Sequence, residues 1–317
     1  MIRIAFLTLA AVGCSVHPPK AASSTNMSPY DGMILIKGAT FAMGSDDPAF
    51  FDAQPIHRVR VRDFWIDKTE VTNAAFERFV AVTGYRTVAE RLGGGMVFRS
   101  PSARPQLDEA LAWWSWMPGA NWRHPLGPHG DIAGRGDHPV VQITYEDVLA
   151  FAAWAGKRLP TEAEWEFAAR GGLEQNRYAW GNDEQPDQPR IANTFQGDFP
   201  TNDTAEDGYA GTNPVAAFPP NRFGLFGVAG NVWEWVADWY DADYYGALAE
   251  TGAVSVDPRG PAASFDPAEP AVPKRVQKGG SFLCTPQYCA RYMPGGRGRA
   301  DPDTPAMHTG FRLAKDP

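Results

Sequence analysis

A single α+β domain, rich in loops and low in regular secondary structure, is what the sequence predicts, on three observations. The chain has 317 residues, of which 32 are glycine and 28 proline, so turns and irregular connections should outweigh helices and strands. A few short segments carry helix caps or strand alternation. From about 174 to 270 almost no periodicity is found; a loop region that long in a compact domain is functional, or is held by ions or ligands.

The elements can be justified in order. Met1-Ile2-Arg3 gives a positive start, Ile4 to Val12 is apolar, and small residues precede Cys14. That is the layout of a secretory signal, too short to span a bilayer as a helix. Small residues before a cysteine resemble the lipobox of bacterial lipoproteins, which makes 1–14 a signal peptide with Cys14 as lipidation site; the alternative is an ordinary signal that discards Cys14. Ser15 behind it suits outer-membrane sorting in a diderm bacterium, so the expected location is periplasmic and lipid-anchored. Residues 15–29, with Ser23, Ser24, Thr25 and Pro29, read as a flexible tether. No other segment could cross a membrane.

Strands are expected at 33–36, 57–66 and 310–314, the first and last pairing to close the domain. Thr72 can cap a helix over 73–82, with Gly84 beyond its end. Thr144 can cap a second through Val148, Phe151 and Trp154, closed by Gly156. Thr161-Glu162-Ala163-Glu164 is a capping box for a third through Trp165 and Phe167, stopped at Gly171-Gly172. With no repeat and no interior linker, 30–317 is read as one domain. Apolar residues make up 44% and aromatics 12%, as in a globular chain, and the net charge of -8 without a basic stripe argues against nucleic acid.

Cys284 and Cys289 lie five positions apart in the run from Gly279 to Tyr292. Two such sulfurs can form a disulfide, clamp a soft metal or work as a redox pair. Export to an oxidising compartment makes the disulfide available. Two cysteines in the mature body do not make a disulfide framework, so stability must come from the core. No histidine lies within the Cys-x4-Cys stretch, which speaks against a typical zinc site.

Four runs, together with the closing Gly310-Phe311-Arg312, carry a resemblance. They are Trp113-Trp114-Ser115-Trp116-Met117-Pro118-Gly119-Ala120-Asn121-Trp122-Arg123-His124-Pro125, Gly156-Lys157-Arg158-Leu159-Pro160-Thr161-Glu162-Ala163-Glu164-Trp165-Glu166, Gly230-Asn231-Val232-Trp233-Glu234-Trp235, and Gly279-Gly280-Ser281 with the two cysteines. Over roughly 30–317 the chain resembles the formylglycine-generating enzyme family, the sulfatase-modifying factors. The resemblance implies that family's loop-rich, C-type-lectin-like fold. It also implies a copper-dependent oxidase in which Cys284 and Cys289 hold Cu(I). A cysteine in a Cys-x-Pro-x-Arg segment of an unfolded sulfatase joins them and is oxidised by O2 to formylglycine. Thiolates are soft ligands suited to Cu(I), and two protein ligands leave room for a third sulfur.

Further roles follow from the same resemblance. Ser281 stands near the substrate sulfur, and Tyr288 lies between the cysteines. Arg291 can steady a copper-thiolate centre or form a buried ion pair. Trp233 packs as core or lines the groove, and His308 is a polar group near the site. Asn193 and Asp207 with side-chain oxygens, and Thr194 and Tyr209 with carbonyls, match a calcium site; hard oxygens from separated loops are what Ca2+ needs. A second calcium ion would use Gly227, Gly230, Val232 and Glu234, although Gly227 stands where vertebrate relatives carry asparagine. Other departures surround the metal: Thr285 and Met293 replace more polar residues, and Pro305 and His308 stand where serine and asparagine occur. A monomer is expected. The competing readings are a non-catalytic envelope lipoprotein and a periplasmic oxidase maturing a secreted metabolite.

Overall fold

The computed structural model describes residues 30–107, 110–183 and 191–317. The expected lipidation site Cys14 and the expected tether, 15–29, lie outside the described residues. Among those described, no helix is long and apolar enough to cross a membrane.

The three expected helices form where their caps place them. Helix α1 (Asn73–Thr83) starts at Thr72, whose side chain accepts from the Ala75 N–H, and ends at a left-handed Gly84. A short α2 (Val88–Leu92) follows, with a Thr87/Glu90 capping box that the sequence reading passed over. α3 (Tyr145–Ala155) and α4 (Glu162–Arg170) each open on a capping box and close on a left-handed glycine. α1 and α3 join through aromatics: Phe76 stacks on Phe151 at 5.7 Å, and Phe79 meets the same ring edge-on at 5.4 Å.

The strands are β1 (Met33–Ile36), β2 (Thr40–Met43), β3 (His57–Arg60), β4 (Phe64–Asp67), β5 (Gly94–Phe98), β6 (Trp114–Pro118), β7 (Gly197–Asp198), β8 (Asn202–Asp203), β9 (Trp233–Trp239), β10 (Ser255–Val256), β11 (Arg275–Lys278), β12 (Gly298–Ala300), β13 (Thr309–Gly310) and β14 (Ala314–Lys315). They form small sheets ordered β1-β4-β14, β10-β3-β2, β12-β11-β9-β13, β5-β6 and β7-β8. The α+β, loop-rich class expected from the sequence is the class observed.

Two strand expectations need correction. The stretch 310–314 is not one strand: Gly310 ends β13 beside β9 and Ala314 begins β14 beside β4, in different sheets. β14 shares a sheet with β1 but does not pair with it, because β4 runs between them. The stretch 57–66 is two strands in different sheets. Its alternation holds through Arg62 and then slips by one at Asp63, whose carboxylate instead accepts the Gly38 N–H at 2.9 Å. The unperiodic middle also hides β9 and a fifth helix, α5 (Tyr244–Glu250). β9 is central in its sheet and buried along most of its length, so it shows no period-two signal.

A candidate thiol site beside a groove

β11 delivers the cysteine loop. Its last residue, Lys278, is fully buried between Glu166 (3.1 Å) and Glu162 (3.8 Å) of α4. Gly279 and Gly280 then turn the chain with φ of +88° and +71°, a region open to glycine at little cost. Side chains there would also collide: a Cβ on Gly280 would stand 2.9 Å from the Tyr292 backbone. The loop beyond is pinned by its own backbone. Cys284 N–H donates to Ser281 O at 2.8 Å, and Cys289 N–H to Thr285 O at 2.9 Å. From outside, Phe195 N–H donates to Cys284 O at 2.9 Å, and Phe282 N–H to Asn231 O at 2.9 Å.

The two sulfurs are free thiols, Cys284 buried and Cys289 partly so. They hydrogen-bond one another and share a proton unequally. Burial, and the bond to Cys289, hold the Cys284 thiol well above its ordinary range. The hydrogen bond from Cys284 lowers Cys289, helped by the backbone N–H and positive charge of Arg291. Cys289 is therefore the nucleophilic, metal-seeking sulfur. Ser281 is fully buried, with its hydroxyl on the Cys284 sulfur and accepting the Leu283 N–H at 3.2 Å.

An aromatic cradle supports the loop. Tyr288 stacks on Phe199 at 4.8 Å and 8°, and Trp113 meets it edge-on at 5.2 Å. Trp113, Phe195, Phe199, Phe282 and Leu283 form one buried cluster. Phe195 and Phe199 belong to the unperiodic middle of the chain, and their only signal there is two phenylalanines on either side of Gly197, ahead of Pro200.

Bordered by the cysteine loop through Tyr288 and Arg291, though not by the sulfurs themselves, is a groove of about 510 Å³ whose walls also include Trp233, Trp114 and His308. The four residues predicted to meet substrate are thus brought together. Trp233 is mostly core, 7% exposed, with one face toward the groove. His308 lies against Trp114, ring centroids 4.6 Å apart. Its Nδ1 has no hydrogen-bond partner, and burial pushes its pKa down to about 3, so it is neutral near pH 7. Arg291 takes the ion-pair alternative: its guanidinium donates to buried Asp52 at 2.8 Å and to Arg297 O, and reaches the thiols only through its backbone and its field. Asp52 was not anticipated; it also accepts the Tyr240 hydroxyl at 2.9 Å.

Two unbonded sulfurs in hydrogen-bonding contact are a donor set suited to a soft ion. Behind Phe195 the first predicted calcium loop also converges. Asn193 Oδ1 is buried without a partner. Asp207 accepts from Thr194 N–H (3.1 Å) and Tyr209 N–H (2.9 Å). The Gln196 amide reaches both Asp207 Oδ2 (2.9 Å) and Thr194 O. A buried amide oxygen left without a partner, one residue before the Thr194 that binds Asp207, suits Ca2+. The second predicted set is different. Glu234 gives both carboxylate oxygens to Arg312 at 2.6 Å each, and one also to Trp165 Nε1 at 2.6 Å. Gly230 packs on the Asn193 carbonyl, Val232 is fully buried, and Gly227 faces the Glu70 carboxylate. The unsatisfied oxygen there is Glu70 Oε2, so the Glu234 arm of that site does not fit an ion.

A loop-rich α+β domain presenting two thiols at the edge of an aromatic groove defines the class. The model of the sulfatase-modifying factor enzyme 1-like domain matches residues 19–317, and the chain belongs to that family. It is 49% identical to a formylglycine-generating enzyme of Thermomonospora curvata, over 90% of this chain and 94% of the relative. It is 42% identical to a formylglycine-generating enzyme of Bos taurus, over 95% of this chain and 79% of the relative. Among solved structures it is similar to PvdO from Pseudomonas aeruginosa, with a TM-score of 0.63 and 25% identity over 90% of this chain and 94% of that one.

Proposed function

We propose that this protein is an exported oxidase that converts the cysteine of a Cys-x-Pro-x-Arg segment in an unfolded sulfatase to formylglycine, using O2 and Cu(I) held by Cys284 and Cys289. That it is an enzyme of the sulfatase-modifying factor type, acting on a sulfatase cysteine, follows from relatives of that name at 42% and 49% identity along most of the chain. The carrying observation for the metal is the pair of unbonded cysteines, hydrogen-bonded to one another, in the loop whose Tyr288 and Arg291 border an open groove. Cu(I), when bound, supplies the electron-transfer chemistry toward O2 that a thiol alone lacks.

The chain's own residues do the rest. Tyr288, Trp114 and His308 line the place where the substrate segment lies. The neutral His308 imidazole offers a hydrogen-bonding nitrogen without a charge to desolvate. Ser281 holds the Cys284 sulfur in place. In balance, the CH2–SH of the substrate becomes CHO, sulfur leaves as sulfide, and O2 is reduced to water with two further electrons from a thiol reductant. We place Ca2+ on Asn193, Thr194, Asp207 and Tyr209, where it braces the loop behind Phe195. We also place the protein in the periplasm as a monomer anchored through lipidated Cys14.

The test is conversion of a Cys-x-Pro-x-Arg peptide by Cu(I)-loaded protein with O2 and a thiol reductant, read as the mass loss of aldehyde formation. Conversion is expected. No conversion beside an active relative would return the chain to the readings of a binding module or a metabolite oxidase. Globomycin-sensitive processing, with acyl label at Cys14, checks the anchor.

A further inference from the structure

The hairpin of β5 and β6 carries more than the groove requires. Met96 and Trp114 line the groove. Met96 stands opposite Trp116, and Phe98 opposite Trp114, so all four side chains share one face of the hairpin. Trp116 therefore continues the groove floor two residues, about 7 Å, beyond Trp114. Its indole lies over Gly94, where a Cβ would come within 2.8 Å of Nε1. It is 44% exposed. Other tryptophan rings here are covered by internal cations: Arg123 lies 4.0 Å from the Trp122 ring and Arg275 3.5 Å from that of Trp239. Among the described residues no ring and no cation contacts Trp116.

The charges in the groove point the same way. Its cations are already matched: Arg291 by Asp52, Arg297 by Glu162, and Lys274 and Arg299 by Asp266. The lining acid is Asp301, whose carboxylate already accepts from Thr304 Oγ1 at 2.8 Å and Asp303 N–H at 3.0 Å. A basic side chain entering this groove meets a bare indole face more readily than an unengaged carboxylate.

We infer that Trp116 is the subsite for the arginine of the substrate segment, held by a cation–π contact on the exposed indole. The inference rests on the substrate class proposed above. In an extended Cys-x-Pro-x-Arg segment the cysteine, proline and arginine point to one side at intervals of about 7 Å. With the proline over Trp114, the arginine falls one such interval further, which is the offset of Trp116. An exposed cation–π contact changes affinity on the order of two- to fivefold.

The experiment compares peptides with Arg, Lys or Ala at that position, on the wild type, Trp116→Ala, Trp116→Phe and Asp301→Asn. Conversion is followed alongside binding of a peptide whose reacting cysteine is serine, read by fluorescence. Trp116→Ala should raise KM for the Arg peptide about two- to fivefold and remove its advantage over Ala, with kcat unchanged. Trp116→Phe should keep part of the preference. The preference should also survive about 1 M salt, where the Debye length is ~3 Å. An Arg preference that outlives Trp116→Ala, or that falls with Asp301→Asn, overturns the inference. Should the wild type convert no peptide, the proposed reaction fails; Arg-dependent binding lost in Trp116→Ala would still support the subsite, and binding indifferent to Arg would overturn it.

Discussion

At the inner end of β11, Lys278 stands between Glu166 and Glu162; Glu166 also holds Arg170 at 2.8 Å, and Glu162 holds Arg297 at 2.8 Å. Further along the same segment, Cys284 is also buried and Cys289 partly so, yet they hydrogen-bond one another and have no charged partner apart from the field of Arg291. The first region pairs every charge with an opposite one. A closed ionic network of this kind fixes where α4 and β11 sit and leaves nothing for a ligand. In the second region the loop is held by backbone bonds and aromatic rings, and the sulfurs meet only one another, the Ser281 hydroxyl and the Arg291 N–H. Burial alone therefore does not mark function here; an incomplete set of partners does. His308 Nδ1 and Asn193 Oδ1 follow the same rule at the groove and the calcium loop.

Substitutions separate the two regions. Cys284→Ser or Cys289→Ser should abolish turnover and Cu(I) binding while the melting temperature moves little, because sulfur and hydroxyl are similar in size. Retained turnover in either variant would sink the two-thiol centre. Lys278→Met should do the reverse in kind. It takes one of two cationic partners from each of two buried carboxylates, which keep Arg170 and Arg297. Loss of a whole partner from a buried pair costs about 3–5 kcal/mol, and the lowered urea midpoint should approach that. A cost below about 1 kcal/mol would mean that the carboxylates relax to other partners and that the contrast is weaker than drawn.

The contrast also explains what could be read from the chain. Caps at Thr72, Thr144 and Thr161 were legible because a helix start is written in adjacent residues. The cysteine pair stood out by spacing, and Tyr288, Trp233 and His308 came with the family resemblance. Asp52, Phe199 and Glu70 were not legible. Asp52 reaches Arg291 across 239 positions, and Glu70 meets Asn231 across 161. Contacts that distant leave no local period or cap behind. β9 was lost because both of its faces are buried, and the slip at Asp63 because a strand pattern can continue across a sheet change.

A pH experiment probes the closed region more gently. Burial, and then the charge of Glu162, push the Asp238 carboxyl up from 3.8 to about 8. The folded state thus keeps a proton that the unfolded chain releases above pH ~4, so the stability from this group is complete in acid and is lost as pH rises from about 4 to about 8. Asp238→Asn keeps an acceptor for the Glu162 N–H, now 2.8 Å from the carboxylate, and removes the titration. Its stability should fall less over that window than the wild type's, and curves that stay parallel would assign the slope to other groups.

The smallest effect should come from the cradle, and it sharpens the comparison most. Phe199 stacks on Tyr288 at 4.8 Å and meets Trp113 edge-on at 5.3 Å. Phe199→Leu keeps an apolar filler but loses four ring contacts, to Phe98, Trp113, Phe195 and Tyr288, each worth at most about 0.5–1.5 kcal/mol and partly replaced by the leucine. If rings rather than ion pairs position the thiol loop, this modest loss should appear locally. Cu(I) affinity and KM should change severalfold, while the urea midpoint shifts by less than in Lys278→Met. Competition with a chromogenic Cu(I) chelator measures the first, and peptide kinetics the second. An unchanged Cu(I) affinity beside a lowered midpoint would place Phe199 with the ionic core as general support, because the sulfurs would then be held by the backbone bonds of Ser281, Thr285 and Phe195 alone.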